Sequence, residues 1–250
     1  MQSAMDTLAY NRYNEQARDE HMLLQGTAVN IIAIIAGALI GRAVGKLLSE
    51  RVHRTIMAGL GLSVLLIGLQ LGLLCQQPLV AIGSLIIGGL IGEWINIEQR
   101  LERFGIRLER LSSSDGVARG FVSASLLFCV GAMAIMGSIQ AGSGLEPTIL
   151  YAKSALDGIA AVALASTLGI GVLYSAIPVL LYQGGITLVA SSAAAILTAP
   201  VMTEMNAVGG LLIVAISFDL LGIKRFAVGN LLPSVFVSIG LMWLFGLAGA

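Results

Sequence analysis

From Gly26 onward the chain alternates apolar stretches of about twenty residues with short polar breaks, and a stretch of that length crosses the hydrocarbon core as a helix. The first runs from Gly26 to Ala43. The second runs from Thr55 to Leu74 and turns at Cys75-Gln76-Gln77-Pro78 into a third, Leu79 to Ile95. No charge falls between Arg54 and Glu93, so these two form a tight hairpin. Gly120 to Gln140 and Thr148 to Leu168 follow, and Asn206 to Ile223 and Gly229 to Phe245 close the series. Between them lies Gly169 to Ala199, too long for one ordinary span and awkwardly short for two. It contains Gly169-Ile170-Gly171, Pro178 and Gln183-Gly184-Gly185. Proline removes a backbone donor and clashes with the preceding turn, and broken backbone at membrane depth survives only within protein or beside a cavity. The expectation is a single discontinuous span, the alternative a re-entrant hairpin of two short segments. The fold class is all-α, a polytopic transmembrane bundle of about eight spans.

One stretch follows a different period. Between Asn96 and Arg119, Ile97, Leu101, Phe104, Leu108 and Leu111 recur at spacings of three and four, while Arg100, Arg103, Arg107 and Arg110 fill the other faces. This predicts an amphipathic helix over 96–119 lying on the cytoplasmic surface. Arg42, Lys46, Arg51 and Arg54, this arginine-rich stretch, and Lys224-Arg225 all fall on one side of such a topology, which the positive-inside tendency makes the cytoplasm. Both termini then lie outside. Met1 to Glu20 is polar and carries no apolar core, so residues 1–21 are read as a disordered extension or tag and 22–250 as one transmembrane domain.

Composition agrees: 57% of the residues are hydrophobic and 11% charged, against about 25% charged in soluble domains. The lipid bilayer is therefore the first partner. Zero net charge argues against nucleic acid. The 31 glycines suit close-packed membrane helices, and small-residue faces such as Gly37 to Gly41 and Gly88 to Gly92 are compatible with a homodimer. Both histidines, His21 and His53, lie outside the apolar stretches, and the two cysteines, Cys75 and Cys129, make no framework. A metal site needs His, Cys or carboxylate clusters, and a hydrolytic nucleophile needs an adjacent base. Neither pattern occurs, so no enzyme, metal or cofactor is expected.

Charge inside the spans is sparse enough to be read residue by residue. Lys153 and Asp157 stand four apart, on one helical face and about 6 Å along the axis, so each can neutralise the other. A lone charge at the bilayer centre costs about 2.5–3.5 kcal/mol on insertion scales, and such residues face a protein interior or a watery cavity. Asp157 sits ten residues past Pro147, about 15 Å deep. Asp219 is the other acid inside a span, and Ser154, Ser175, Gln183 and Asn206 are neutral ligands on or near broken segments. Together they outline a substrate or ion site around the Lys153/Asp157 helix and the broken segment 169–199. An internal repeat is suggested by aligning Met57–Leu71 with Asn206–Leu220, which matches Ala58 with Ala207, Gly61 with Gly210 and Leu71 with Leu220. These two spans run in opposite directions, and inverted repeats characterise secondary transporters. A secondary transporter of a small ion or polar metabolite is the leading expectation. The alternatives are an ion channel or pore, and a structural membrane protein in which Lys153 and Asp157 are simply bonded and dry.

Several runs also resemble a known family. They are Ser125-Leu126-Leu127-Phe128-Cys129-Val130-Gly131-Ala132-Met133-Ala134-Ile135-Met136-Gly137-Ser138, Lys153-Ser154-Ala155-Leu156-Asp157-Gly158, Gly169 to Pro178, Ala207-Val208-Gly209-Gly210, and Asn230-Leu231-Leu232-Pro233. In this order, from Met22 to the C-terminus, the chain resembles the domain-of-unknown-function 554 family of bacterial inner-membrane proteins. The resemblance implies a location in the inner membrane and kinship of fold, and it does not imply a substrate.

Overall fold

The structure, a computed structural model, describes residues 24–112, 116–130, 132–193 and 196–249; the expected extension over 1–21 lies outside them. Among the described residues there are twelve helices and no strand. They are α1 (Gln25–Gly45), α2 (Glu50–Gly72), α3 (Pro78–Ile95), α4 (Ile97–Ser112), α5 (Val117–Cys129), α6 (Ala132–Gly142), α7 (Thr148–Leu168), α8 (Gly171–Tyr174), α9 (Ala176–Ala193), α10 (Ala199–Leu220), α11 (Val228–Leu231) and α12 (Pro233–Leu244). Six segments are long and apolar enough to cross a membrane: α1, α2, α3, α7, α8 with α9, and α10. The pair α5–α6 makes a seventh if its two pieces count as one span, and Val228–Leu244 is a shorter apolar helix.

The prolines punctuate rather than break. Pro147 caps α7, Pro78 and Pro233 open α3 and α12, Pro200 is second in α10 and Pro178 third in α9. In a first turn the missing N–H has no intrahelical partner to lose. Pro178 and Gln183-Gly184-Gly185 do not interrupt α9; within 169–199 the chain divides at Gly169 and at Ser175, between α8 and α9. Ser175 marks the α8–α9 join, but its backbone stays helical (φ −63°, ψ −17°), and Gly171–Ala190 forms one apolar span. The sharp break lies in the span expected to be continuous. At Val130 the backbone is extended (φ −78°, ψ 118°), and α5 and α6 are inclined by 61°.

Close helix approach organises the bundle. α1 lies alongside α7 in the same direction. A Cβ added at Gly37, Gly41 or Gly45 would run into the backbone carbonyls of Gly158, Val162 and Ser166 respectively. One residue in four is thus reduced to hydrogen so that two backbones can touch, the small-residue route to membrane helix packing. α2 packs antiparallel to α10, with Gly61 against Leu221 and Gly68 against Gly210 and Val214. α3 packs antiparallel to α11 and α12, with Gly88 against Ser234 and Gly92 against Asn230. α9 packs on α6 and α1. Between α7 and α8 the chain turns at Gly169 (φ 75°, ψ −157°), a conformation essentially restricted to glycine. Gly169→Ala should lower stability by about 1–3 kcal/mol, measured as the unfolding midpoint in detergent.

The two ends of the bundle differ in charge. Every described lysine and arginine except Lys153 falls in the last turn of α1, the α1–α2 connection and the start of α2, in α4 and the start of α5, or in the α10–α11 connection. Contacts join these segments. The His53 Nε2 lies 2.6 Å from the Ser166 carbonyl oxygen, Arg119 donates to the Asp219 carbonyl oxygen at 3.2 Å, and Arg225 donates to Glu98 at 3.3 Å and Glu102 at 2.8 Å. Burial disfavours the charged Arg225, but the Glu102 and Glu98 carboxylates more than offset it, so its pKa is raised. α4 is amphipathic as expected, and its apolar side is partly used inside the protein. Leu101 and Leu108 join the core, and the Phe104 ring stands 5.5 Å from that of Phe121.

Candidate functional site

The middle of α7 carries the only ion pair buried on both sides among the described residues. Lys153 and Asp157 are both buried, and the Lys153 ammonium donates to the Asp157 carboxylate. Their i, i+4 spacing brings them to one face, which α7 turns inward rather than to lipid. Two amides from other helices complete the group. The Asn30 Nδ2 on α1 donates to Asp157 Oδ2 at 3.0 Å and to the Gln183 Oε1 of α9 at 3.3 Å. Asn30 and Gln183 are wholly inaccessible, as is Thr27, which lies one turn from Asn30 on the same face of α1.

These groups are incompletely satisfied. The Asn30 Oδ1, Gln183 Nε2 and Thr27 Oγ1 have no hydrogen-bond partner among the described residues. A buried polar atom left unbonded costs about 1–3 kcal/mol. The two amide atoms among them belong to side chains bonded into the ion-pair group, which offers acceptors (the carboxylate, an amide oxygen) and donors (the ammonium, an amide N–H). That group can replace the hydration shell of a small ion or a polar solute.

The candidates from the sequence separate into three groups. Lys153, Asp157 and Gln183 come together. Ser154 and Ser175 are buried, but their hydroxyls donate to their own helices, to the Leu150 and Val172 carbonyls, both at 2.6 Å. Asn206 and Asp219 belong elsewhere. Asn206 lies on the opposite half of α10, half-buried, with its Oδ1 unpartnered. Asp219 sits at the basic end, 3.5 Å from the Arg119 guanidinium, and takes no part in the mid-helix group.

Reading the sequence missed Asn30, Thr27 and the partners of Glu204. Asn30 had a visible signal: it is the sole amide or charged residue between Gly26 and Gly41. Glu204 is fully buried on α10 and closes the end of the bundle opposite the basic loops. Its Oε1 accepts the N–H groups of Gln76 (2.6 Å) and Gln77 (2.9 Å), and its Oε2 accepts the Cys75 thiol at 3.3 Å. Burial, and then this carboxylate, push the Cys75 thiol pKa up.

Among the described residues no three metal-binding side chains converge. No solved structure matches the chain. It is similar to the uncharacterized membrane protein YdfK of Bacillus subtilis, 34% identical over 85% of this chain and 93% of that protein. It is also similar to the uncharacterized protein YqgA of Escherichia coli, 30% identical over 86% of this chain and 95% of that protein. The family model described as "Protein of unknown function (DUF554)" matches residues 25–243, in keeping with the runs of sequence that pointed to it. With this match over nearly all the described residues and these relatives, the chain belongs to the DUF554 family of membrane proteins.

Proposed function

We propose that the protein is a multi-pass secondary transporter of a small ion or polar metabolite in the bacterial inner membrane, with its solute site at Lys153, Asp157, Asn30 and Gln183. The observation that carries the reading is the set of unpartnered, fully buried polar atoms beside the ion pair. Intramembrane ionisable groups of this kind mark solute and ion pathways. Asp157 is the group that binds a cation or a proton, and Lys153 is the tethered cation that holds its place when no solute is bound. Val228–Leu244 completes eight passages, the positive-inside tendency makes the basic end cytoplasmic, and the Glu204 end faces outward.

An inverted repeat supports the reading. α1, α2 and α3 begin at 25, 50 and 78, and α9, α10 and α11 begin at 176, 199 and 228, offsets of 151, 149 and 150 residues. Each helix of the first set packs on its counterpart in the second. Shifting by 149 residues carries Gly61 to Gly210 and Gly72 to Leu221, so the contact of Gly61 with Leu221 becomes that of Gly210 with Gly72, and both occur. A contact that maps onto another under exchange of the halves is what a twofold axis between them produces. The candidate site lies where α1 meets its counterpart α9, and transporter sites sit at such repeat interfaces.

A second reading, a dry salt bridge that only ties α1, α7 and α9 together, is favoured by the burial of Lys153 and Asp157; the unpartnered amide atoms weigh against it. A thermal-stability screen of purified wild type and Asp157→Asn separates the two. The panel is sodium, potassium, pH, small carboxylates and amino acids. A ligand at a hundred times its dissociation constant adds about 2.7 kcal/mol to the native state. We expect at least one ligand to raise the wild-type midpoint and leave the variant unmoved. No response to any ligand, with the variant uniformly less stable, would favour the salt bridge.

A further inference from the structure

We propose that Glu204 latches the outer end of the protein shut and that a proton taken up from the outer side releases it; this rests on the transport reading above. Shifting by 149 residues carries the α2–α3 turn, Cys75-Gln76-Gln77, onto Lys224-Arg225-Phe226 of the α10–α11 connection, and it carries Thr55 of α2 onto Glu204 of α10. The two ends of the molecule are thus built from corresponding pieces, yet they are closed differently.

At the outer end the turn is seated on α10. One carboxylate, wholly out of solvent, gathers two backbone N–H groups and a thiol from three consecutive residues. At the cytoplasmic end the counterpart, Thr55, is exposed and donates its hydroxyl to the Arg51 carbonyl of its own helix at 3.1 Å. The connection there packs its Leu221 on Gly61 of α2 and is tied to α4 through Arg225, Glu98 and Glu102. Between it and α2 a cavity of about 720 Å³ opens, lined by His53, Arg54 and Met57 on one side and Leu220, Leu221 and Gly222 on the other. One end is latched and the corresponding end carries a cavity, an asymmetry between equivalent ends of the kind that alternating access exchanges.

The latch is chemically suited to a proton. The titratable group on its oxygens is the Cys75 thiol, and the other described carboxylate at this end, Glu146, is exposed on the α6–α7 loop. No lysine, arginine or histidine stands among the described residues of this end. The carboxylate is held by hydrogen bonds alone. Protonation places a hydrogen on one oxygen and removes the negative charge from both. Bonds that were charge-assisted become neutral ones of about half the strength. The turn then separates from α10, opening the outer end.

Hydrogen exchange of the full chain in lipid nanodiscs tests this, with each rate normalised to the intrinsic rate at its pH. At neutral pH the Gln76 and Gln77 amides are protected. On acidification, and in Glu204→Gln at either pH, they exchange about tenfold faster, as expected for exchanging charge-assisted for neutral bonds. A spin-label pair at Arg54→Cys and Ile223→Cys, across the cytoplasmic cavity, shortens in the same conditions. Protection independent of pH in the wild type overturns the proposal, and that arm needs no variant to fold. Faster exchange with an unchanged spin-label distance also overturns it, because the latch then does not govern the gate. Neither readout requires a solute, so a negative ligand screen and a negative exchange experiment are separate failures.

Discussion

Replacing Asp157 by asparagine is expected to cost about 3–5 kcal/mol of stability and to abolish any solute response. Asparagine keeps the shape and can still meet Asn30, but it leaves the Lys153 ammonium buried with no opposing charge. Breaking one partner of a buried pair is costly for that reason, and the cost is about 3–5 kcal/mol. The double substitution Lys153→Met with Asp157→Leu should recover most of the loss, since replacing both members of a buried pair by apolar residues is often neutral or stabilising. The thermal midpoint of the two variants, measured in one detergent, gives the stability arm. The ligand screen gives the functional arm. A double variant that is stable but unresponsive separates the chemistry of the pair from its structural contribution. A double variant that responds like wild type would falsify the assignment of the site.

Gly41→Val is expected to prevent a native α1–α7 seam. The hydrogen of Gly41 faces the backbone of Val162, and a Cβ there collides with a main-chain carbonyl that no rotamer change can move. Overpacking a side-chain core costs about 1–3 kcal/mol. The cost here exceeds that range because the obstacle is backbone. Ala36→Val, on the exposed face of the same helix, should stay within about 0.5 kcal/mol of wild type. The readouts are the yield of monodisperse protein on size exclusion and the unfolding midpoint. Because Asn30 and Asp157 meet across this seam, a partly folded Gly41→Val protein should also lose the ligand response. Equal yield and midpoint for both valine variants would show that the seam is not a tight backbone contact.

Both results bear on how the site is assembled. Asn30 reaches Asp157 only because α1 and α7 touch over most of their length, and glycine at 37, 41 and 45 is what permits that approach. The packing motif and the polar cluster are therefore parts of one arrangement. The small residues bring the helices near enough for a short side chain to span the gap. A bundle spaced by leucines would hold the same polar residues out of one another's reach.

The membrane character of the chain, its helices and the pairing of Lys153 with Asp157 were determined by the sequence alone. Each follows from short-range rules: the length of an apolar run, the punctuation of prolines and polar turns, and the four-residue spacing that puts two side chains on one face. The basic stripe in Arg100 to Arg110 likewise marked α4 as amphipathic. The tertiary structure decided matters that depend on distant segments meeting. It placed Asn30 on Asp157 across a separation of 127 residues and Gln183 on Asn30 across 153, and it removed Asn206 and Asp219 from that group. It put a 61° bend at Val130, in a span where the sequence marks no break, because the register of helix packing carries no local mark. It buried Glu204 beneath a turn more than a hundred residues away, which gave a carboxylate at the edge of a span its hydrogen-bond partners. Local pattern fixes what each segment is. Only the packing of backbones against one another fixes which polar atoms are shut away together, and so where binding chemistry can arise.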